Sequence, residues 1–137
     1  MPKKETTEAG SKSHEFLKFY EELYSAIYNR PALIDWIKAT VVLRKMFQNS
    51  VVTMDLAMAC LSAYFELEDQ FLEERDYPPE LFPNNIARCR VVVERDFSYY
   101  ERKYKMSRDD YYKKYIEDIM KKYNLNVDEG GDQQQNK

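Results

Sequence analysis

Glycine is absent from residues 11–129, that is, from the whole chain between Gly10 and Gly130. Left-handed helix caps, tight hairpins, phosphate loops and catalytic elbows commonly use glycine, because only a residue without Cβ adopts a positive φ at little cost. This absence argues against most nucleotide-binding loops and nucleophile elbows. The prolines lie at Pro2, Pro31, Pro78, Pro79 and Pro83. Long stretches without either residue predict helices throughout.

The length and the polar ends predict the domain organisation. A chain of 137 residues is long enough for one domain and too short for two. We expect an all-α, single-domain helical bundle of about five helices over residues 13–123. A polar N-terminal arm is expected over 1–12 and a polar C-terminal tail over 124–137, both flexible because they have little apolar surface to bury.

Five apolar patterns at helical spacing define the predicted segments. They cover residues 13–28, 32–47, 51–75, 84–105 and 107–123. Ser13 and either Asn84 or Asn85 are candidate N-caps for the first and fourth segments. The fifth segment begins at Ser107, where Ser107 and Asp110 have the spacing of a capping box with Asp in place of Glu or Gln.

The third segment carries apolar residues on opposite sides. Val52, Leu56, Ala59 and Ala63 lie on one face, whereas Met54, Met58, Leu61 and Phe65 lie on the other. A helix that is apolar all round is buried all round. Two interpretations remain open. Either this segment is a central helix surrounded by the others, or the face of Met54, Met58, Leu61 and Phe65 is an oligomer interface.

The fourth segment carries a stripe of arginines on its predicted outer side. Arg88, Arg95, Tyr99 and Arg102 fall in one narrow sector at about 100° per residue, and Lys105 and Arg108 extend the positive region. Residues 86–123 carry eleven Lys and Arg against seven Asp and Glu. Guanidinium groups suit phosphates or an acidic partner. Alternatively, these arginines pair with Glu94, Glu101 or the acidic residues of 66–80.

Few residues are suited to catalysis or metal binding. His14 is the only histidine, and its place beside the expected cap indicates a surface residue. Cys60 and Cys89 lie in apolar surroundings and are expected to be two buried thiols; a disulfide joining two helices is the alternative. We therefore expect no enzyme, no catalytic residues, no cofactor and no metal. No apolar run is long enough to span a bilayer and no signal peptide is expected, which favours the cytoplasm and no membrane partner.

Residues 99–112, with the sequence YYERKYKMSRDDYY, describe a helix, a tight stop and a capped helix. This stretch resembles the YFEKKYGMSSEEFY segment of small, antitoxin-like prokaryotic proteins. Lys105 stands where that segment has a glycine, so the resemblance implies a left-handed turn at Lys105. It also implies a protein that acts by binding a partner and has no catalytic residues.

These observations predict a non-catalytic helical protein that binds a macromolecular partner, in an antitoxin-like or adaptor role. The uneven charge favours self-association, as a homodimer or larger assembly, or a protein partner. The alternative is a nucleic-acid-binding or nucleoprotein structural subunit, for example a coat protein of a thermophilic virus, located in the virion. The abundance of Tyr, Lys and Glu is typical of a thermophilic source.

Overall fold

The computed structural model describes residues 2–125, and these residues fold into helices and connecting turns without a β-strand. The helices are α1 (Pro2–Tyr28), α2 (Trp36–Gln48), α3 (Met54–Tyr64), α4 (Gln70–Glu74), α5 (Ile86–Val93), α6 (Phe97–Tyr104) and α7 (Arg108–Lys122). Short 3₁₀ turns occupy Pro79–Leu81, Pro83–Asn85 and Glu94–Asp96. The all-α prediction is confirmed.

Helix α3 is the centre of the bundle. It contacts α1, α5 and α7, and α1 also packs along α2. Thr53 caps α3 by accepting a hydrogen bond from the Leu56 amide at 3.1 Å. Both predicted apolar faces of the helix meet neighbours, so Leu61 and Ala63 are buried although they lie on opposite sides. Of the two interpretations left open by the sequence, the central helix is the correct one.

Aromatic rings fill the space between α1 and its neighbours. Phe16 lies 5.9 Å from Phe47 of α2 and 5.1 Å from Phe82, measured between ring centroids. Tyr20 lies 5.4 Å from Phe65, which follows α3. The core therefore lies between the aromatic side chains of α1 and those of Phe47, Phe65 and Phe82.

Helix α1 begins much earlier than predicted. Ser13 is not an N-cap but lies inside the helix, where its buried hydroxyl donates a hydrogen bond to the Ala9 carbonyl at 2.9 Å. A serine that bonds to the carbonyl four residues earlier can occupy a helix interior. Residues 2–12, which we expected to form a separate arm, are therefore the first part of α1. Helix α2 instead begins later, at Trp36, because Asp35 caps it by accepting from the Lys38 amide.

The fourth predicted segment is interrupted. A 3₁₀ turn at Glu94–Asp96 separates α5 from α6, so residues 86–104 are not one straight helix. Tyr111 of α7 donates a hydrogen bond of 2.5 Å to the Val93 carbonyl at this break. Asn85 stands at the predicted N-cap position of α5 but makes no side-chain capping hydrogen bond, and its side-chain amide donates to the Leu81 carbonyl at 2.8 Å instead.

The turn between α6 and α7 agrees with the prediction. Lys105 ends α6 in the left-handed conformation, with φ 54° and ψ 38°. Ser107 begins α7 by accepting a hydrogen bond from the Asp110 amide at 3.1 Å. The predicted tail over 124–137 lies outside the described residues beyond Leu125, whose amide donates to the Met120 carbonyl and ends α7.

Tyrosine hydroxyls bind the backbone of residues 67–78, a segment that consists of the short helix α4 and the turns on either side of it. Asp76 and Tyr77 both have positive φ, 64° and 50°. The left-handed region costs an ordinary side chain such as that of Tyr77 about 1–2 kcal/mol, whereas Asp adopts it more readily. Three hydroxyls bind carbonyls here: Tyr20 to Tyr77 at 2.8 Å, Tyr64 to Pro78 at 2.6 Å and Tyr77 to Leu67 at 2.5 Å. These bonds to backbone groups keep the segment in place despite its strain.

Candidate interaction surfaces

The predicted oligomer face of Met54, Met58, Leu61 and Phe65 is part of the core. Leu61 is 0% exposed and Phe65 is 7% exposed, whereas Met54 and Met58 are half-buried against the core cluster. Phe65 is enclosed by the rings of α1, including Tyr20. The burial of Leu61 and Phe65 argues against an interface made of these four residues, because side chains inside the bundle are not accessible to a second copy.

Two members of the predicted arginine stripe are held by acids of the same chain. Arg88 lies 2.8 Å from Asp69 and also hydrogen-bonds Asn85. Arg108 lies 3.7 Å from Glu94, and its guanidinium stands 4.7 Å from the centre of the Phe97 ring. For these two residues the alternative of internal pairing is correct. The 3₁₀ turn at Glu94–Asp96 also removes the straight helix on which the stripe was drawn.

The remaining predicted residues lie on α6 and the turns beside it. Arg95, Arg102 and Lys105 are exposed, and none of them is within ion-pair distance of a described carboxylate. Tyr99 and Tyr104 are 46% and 56% exposed. The Lys103 amine lies 5.5 and 5.6 Å from the centres of these two rings. We name Tyr99, Arg102, Lys103, Tyr104 and Lys105 the α6 surface.

The two most exposed of the large apolar side chains, Leu33 and Ile37, lie elsewhere, before and on α2. Leu33, Ile37 and Val41 are 96%, 82% and 42% exposed. Their spacing of four residues places Ile37 and Val41 on one side of α2, and Leu33 lies in the non-helical segment just before that helix. We name these three residues the α2 outer face. The sequence analysis did not single out this face; the signal available was three large apolar residues four positions apart in the printed sequence.

A groove adjoins the α2 outer face. It has a volume of about 930 Å³ and lies between α2 and the chain from α4 to the second 3₁₀ turn. Val41 belongs to both the groove and the outer face, and Phe71 of α4 stands on the opposite wall with 53% of its surface exposed. The residues lining the groove are Lys38, Val41, Val42, Lys45, Met46, Phe71, Arg75, Pro78, Glu80, Leu81, Pro83 and Asn84.

A smaller hollow of about 270 Å³ lies between the start of α3 and α5. Exposed Val51 and Val91 stand at its edge, and Arg90 and Glu94 line it. Burial disfavours the charged form of Glu94, but hydrogen bonds from Tyr112 and Arg90 outweigh burial and lower the pKa of this carboxyl. Through these two hydrogen bonds Glu94 links Arg90 of α5 to Tyr112 of α7.

The two cysteines and the histidine lie at different depths in the structure. Cys60 and Cys89 are unpaired and buried, which confirms the prediction of two buried thiols. Burial raises the pKa of the Cys89 thiol to about 12, and the pKa of Cys60 is raised for the same reason. His14 is exposed, with its ring 5.6 Å from that of Trp36. Among residues 2–125, no cluster of three or more His, Cys, Asp and Glu could hold a metal ion.

The chain matches no protein-family model, no curated protein and no solved structure. The resemblance of residues 99–112 to antitoxin-like proteins therefore stays a prediction. Within the described part of the chain, none of the helices combines the length and the apolar character that crossing a bilayer requires.

Proposed function

We propose that this protein is a non-catalytic helical interaction protein that binds a macromolecular partner through the α2 outer face. The observation that carries the proposal is the exposure of Ile37 and Val41 on one side of α2, together with the exposed Leu33 in the segment just before the helix. Large apolar side chains that stand together on a surface mark interaction sites more often than single exposed ones do. A protein partner that covers this face is the function that the surface supports best.

The energetics agree with this role. Covering a fully exposed Leu or Ile side chain contributes about 1.5–3 kcal/mol. Leu33 and Ile37 are 96% and 82% exposed, so both have nearly their whole apolar surface to contribute. Neither side chain is required to hold the bundle together, because the inward side of α2 is supplied by Ala39, Leu43 and Phe47.

The test asks whether the chain still binds a partner protein, or another copy of itself, when the α2 outer face is altered. The tagged full-length protein is used to recover partners from a lysate of the source organism, and its own oligomeric state is measured by light scattering. We expect Ile37→Ser to lose the retained protein or the oligomer. Val91→Ser is the matched control, since Val91 is exposed on the far helix α5. Equal retention by both variants and the unmodified chain would contradict the proposal.

A second candidate, nucleic-acid binding, is favoured by the α6 surface. Two exposed tyrosine rings with the Lys103 amine between 5 and 6 Å from each resemble the aromatic and cationic arrangement on which single strands stack. Arg102 and Lys105 beside them could contact phosphates. Residues 86–123 carry a net charge of +4 although the whole chain is at −3, so an approaching polyanion is directed to this end.

The test of this candidate is the salt dependence of binding to single-stranded DNA or RNA. Arg102→Ala should reduce the slope of log K against log salt by roughly 0.7, and Tyr104→Ala should cost about 1–3 kcal/mol through lost stacking. Arg88→Ala is the matched control and should leave the slope unchanged, because Asp69 already holds that guanidinium. No binding at about 50 mM salt would remove the candidate.

A further inference from the structure

We propose that the groove beside α2 binds an amphipathic helix whose apolar stripe is flanked by carboxylates. This inference rests on the proposed function, because it describes the chemistry of the partner protein that binds the α2 outer face. Three properties of the groove support it: its shape, its apolar lining and the sign of its charge.

The shape suits a helix. One wall is formed by Lys38, Val41, Val42 and Lys45, which share one side of α2 at spacings of three and four residues. A row of side chains at this spacing is the ridge against which a second helix packs. Helices that bind in grooves place anchors at the same spacing into an apolar channel.

The apolar lining gives such a helix places for its anchors. Val41 and Phe71 stand on opposite walls, and Met46 and Leu81 line the groove between helix α2 and the 3₁₀ turn. The groove volume of about 930 Å³ exceeds what one side chain needs, so more than one anchor can enter. The α2 outer face continues from Val41 to Ile37, one helical turn earlier, which lengthens the apolar row beyond the groove.

The charge of the groove selects an acidic partner. Lys38 and Lys45 are exposed on the α2 wall, and neither forms an ion pair with a described side chain. Arg75 stands 3.6 Å from the centre of the Phe71 ring and is the third cation of the lining. Its guanidinium is 3.9 Å from Glu74, and Glu80 is the one acid among the lining residues.

The same charges disfavour two other occupants. Helix α2 carries three cations and no acid between Trp36 and Gln48, so pairing α2 of two copies would bring like charges together. A lipid surface with anionic headgroups would attract the lysines, but it is flat on this scale and would not fill a groove. An acidic amphipathic helix satisfies both the shape and the charge.

The test uses three synthetic helical peptides with identical leucines at spacings of three and four residues. Their flanking positions are all Glu, all Gln or all Lys, and binding to the full-length chain is followed by fluorescence anisotropy. We expect the Glu peptide to bind about fivefold more tightly than the Gln peptide, since two rim ion pairs of ordinary strength give a ratio of this size. The Lys peptide should bind most weakly.

Matched lysine variants locate the effect. Lys38→Gln combined with Lys45→Gln should remove the fivefold preference for the Glu peptide and leave the Gln peptide unaffected. Lys18→Gln combined with Lys113→Gln is the control, because these lysines are equally exposed on α1 and α7. Circular dichroism of both double variants should be that of the unmodified chain.

Other outcomes overturn the inference in distinguishable ways. Equal binding of the Glu and Gln peptides, with both lost in Val41→Ser, would show a docking groove without charge selection and would leave the proposed function standing. The inference also fails if no peptide binds, if binding is unchanged by the groove variants, or if the chain binds only vesicles containing phosphatidylserine. In those cases the Ile37→Ser comparison decides the proposed function separately.

Discussion

Helices α2 and α3 both carry more apolar residues than one buried face requires. The additional apolar residues are buried in α3 but exposed in α2. In α3, Leu61 is 0% exposed, whereas Ile37 of α2 is 82% exposed. Helix α3 contacts α1, α5 and α7, and every residue from Ala59 to Tyr64 is buried. Helix α2 packs on α1 and the 3₁₀ turns, which leaves one side without a neighbour. The number of neighbours, rather than the apolar content of the helix, decides which surplus is available to a partner.

The largest expected effect is the difference between a glutamate in α3 and one in α2. Leu61→Glu places a carboxylate in the core, where desolvation costs several kcal/mol, and this is comparable with the whole stability of a small domain. We expect circular dichroism to show loss of the folded state. Ile37→Glu should change the free energy of unfolding by about 0.5 kcal/mol or less. A folded, helical Leu61→Glu monomer would break the comparison.

Thiol labelling gives the next largest difference. Cys60 and Cys89 are buried and the pKa of each thiol is raised, so reaction requires the bundle to open. We expect both to react with a disulfide reagent about a thousandfold or more slowly than the new thiol of Ile37→Cys. In denaturant, all three thiols should react at similar rates. Fast labelling of Cys60 in the folded chain would show that α3 is not enclosed.

Hydrogen bonding sharpens the comparison further. Tyr64 of α3 donates to the Pro78 carbonyl at 2.6 Å, so Tyr64→Phe should cost about 1–3 kcal/mol by leaving that carbonyl without its partner. Tyr104→Phe is the matched change on the surface and should stay within about 0.5 kcal/mol. Urea denaturation measures both. Equal costs would mean that the Tyr64 bond contributes nothing beyond an exposed hydroxyl.

The smallest effect tests whether a surface position also holds strain. Lys105 has a φ of 54° at the end of α6, and a side chain in this region costs about 1 kcal/mol. Lys105→Gly should stabilise the chain by up to about that amount, because relief of the Cβ clash outweighs the added freedom of the unfolded chain. Thermal denaturation measures the shift. Destabilisation of similar size would indicate that α6 and α7 continue through Met106 as one helix.

Local patterns predicted what depends on neighbours along the chain. The cap at Ser107 needs only residues within a few positions of each other and is present. The left-handed turn at Lys105, which only the resemblance of residues 99–112 implied, is present as well. The break between α5 and α6 could not be predicted in this way. Tyr111 and Tyr112 hold it by binding Val93 and Glu94, eighteen residues away, and no periodicity within 84–105 reports a partner at that distance.

The candidate site was the harder part for the same reason. Periodicity identified the second segment as a helix and located the two apolar faces of the third, but it does not say how many helices surround each one. The choice between Leu61 and Ile37 as the surface residue depends on where α5 and α7 pack. Arg88 was likewise placed correctly on α5, while its ion pair with Asp69 follows from tertiary packing.

The tyrosine hydroxyls that hold residues 67–78 have a consequence for how this sequence can change. Tyr64 and Tyr77 donate to the main-chain carbonyls of Pro78 and Leu67, and a carbonyl is present whatever side chain the acceptor residue carries. In a library of single substitutions, the donor positions should therefore be enriched in tyrosine. The acceptor positions, which are only half-buried, should vary as long as the backbone keeps its path. Selection on this fold would therefore conserve the donor tyrosine of each hydrogen bond, while the residue that supplies the carbonyl changes more freely.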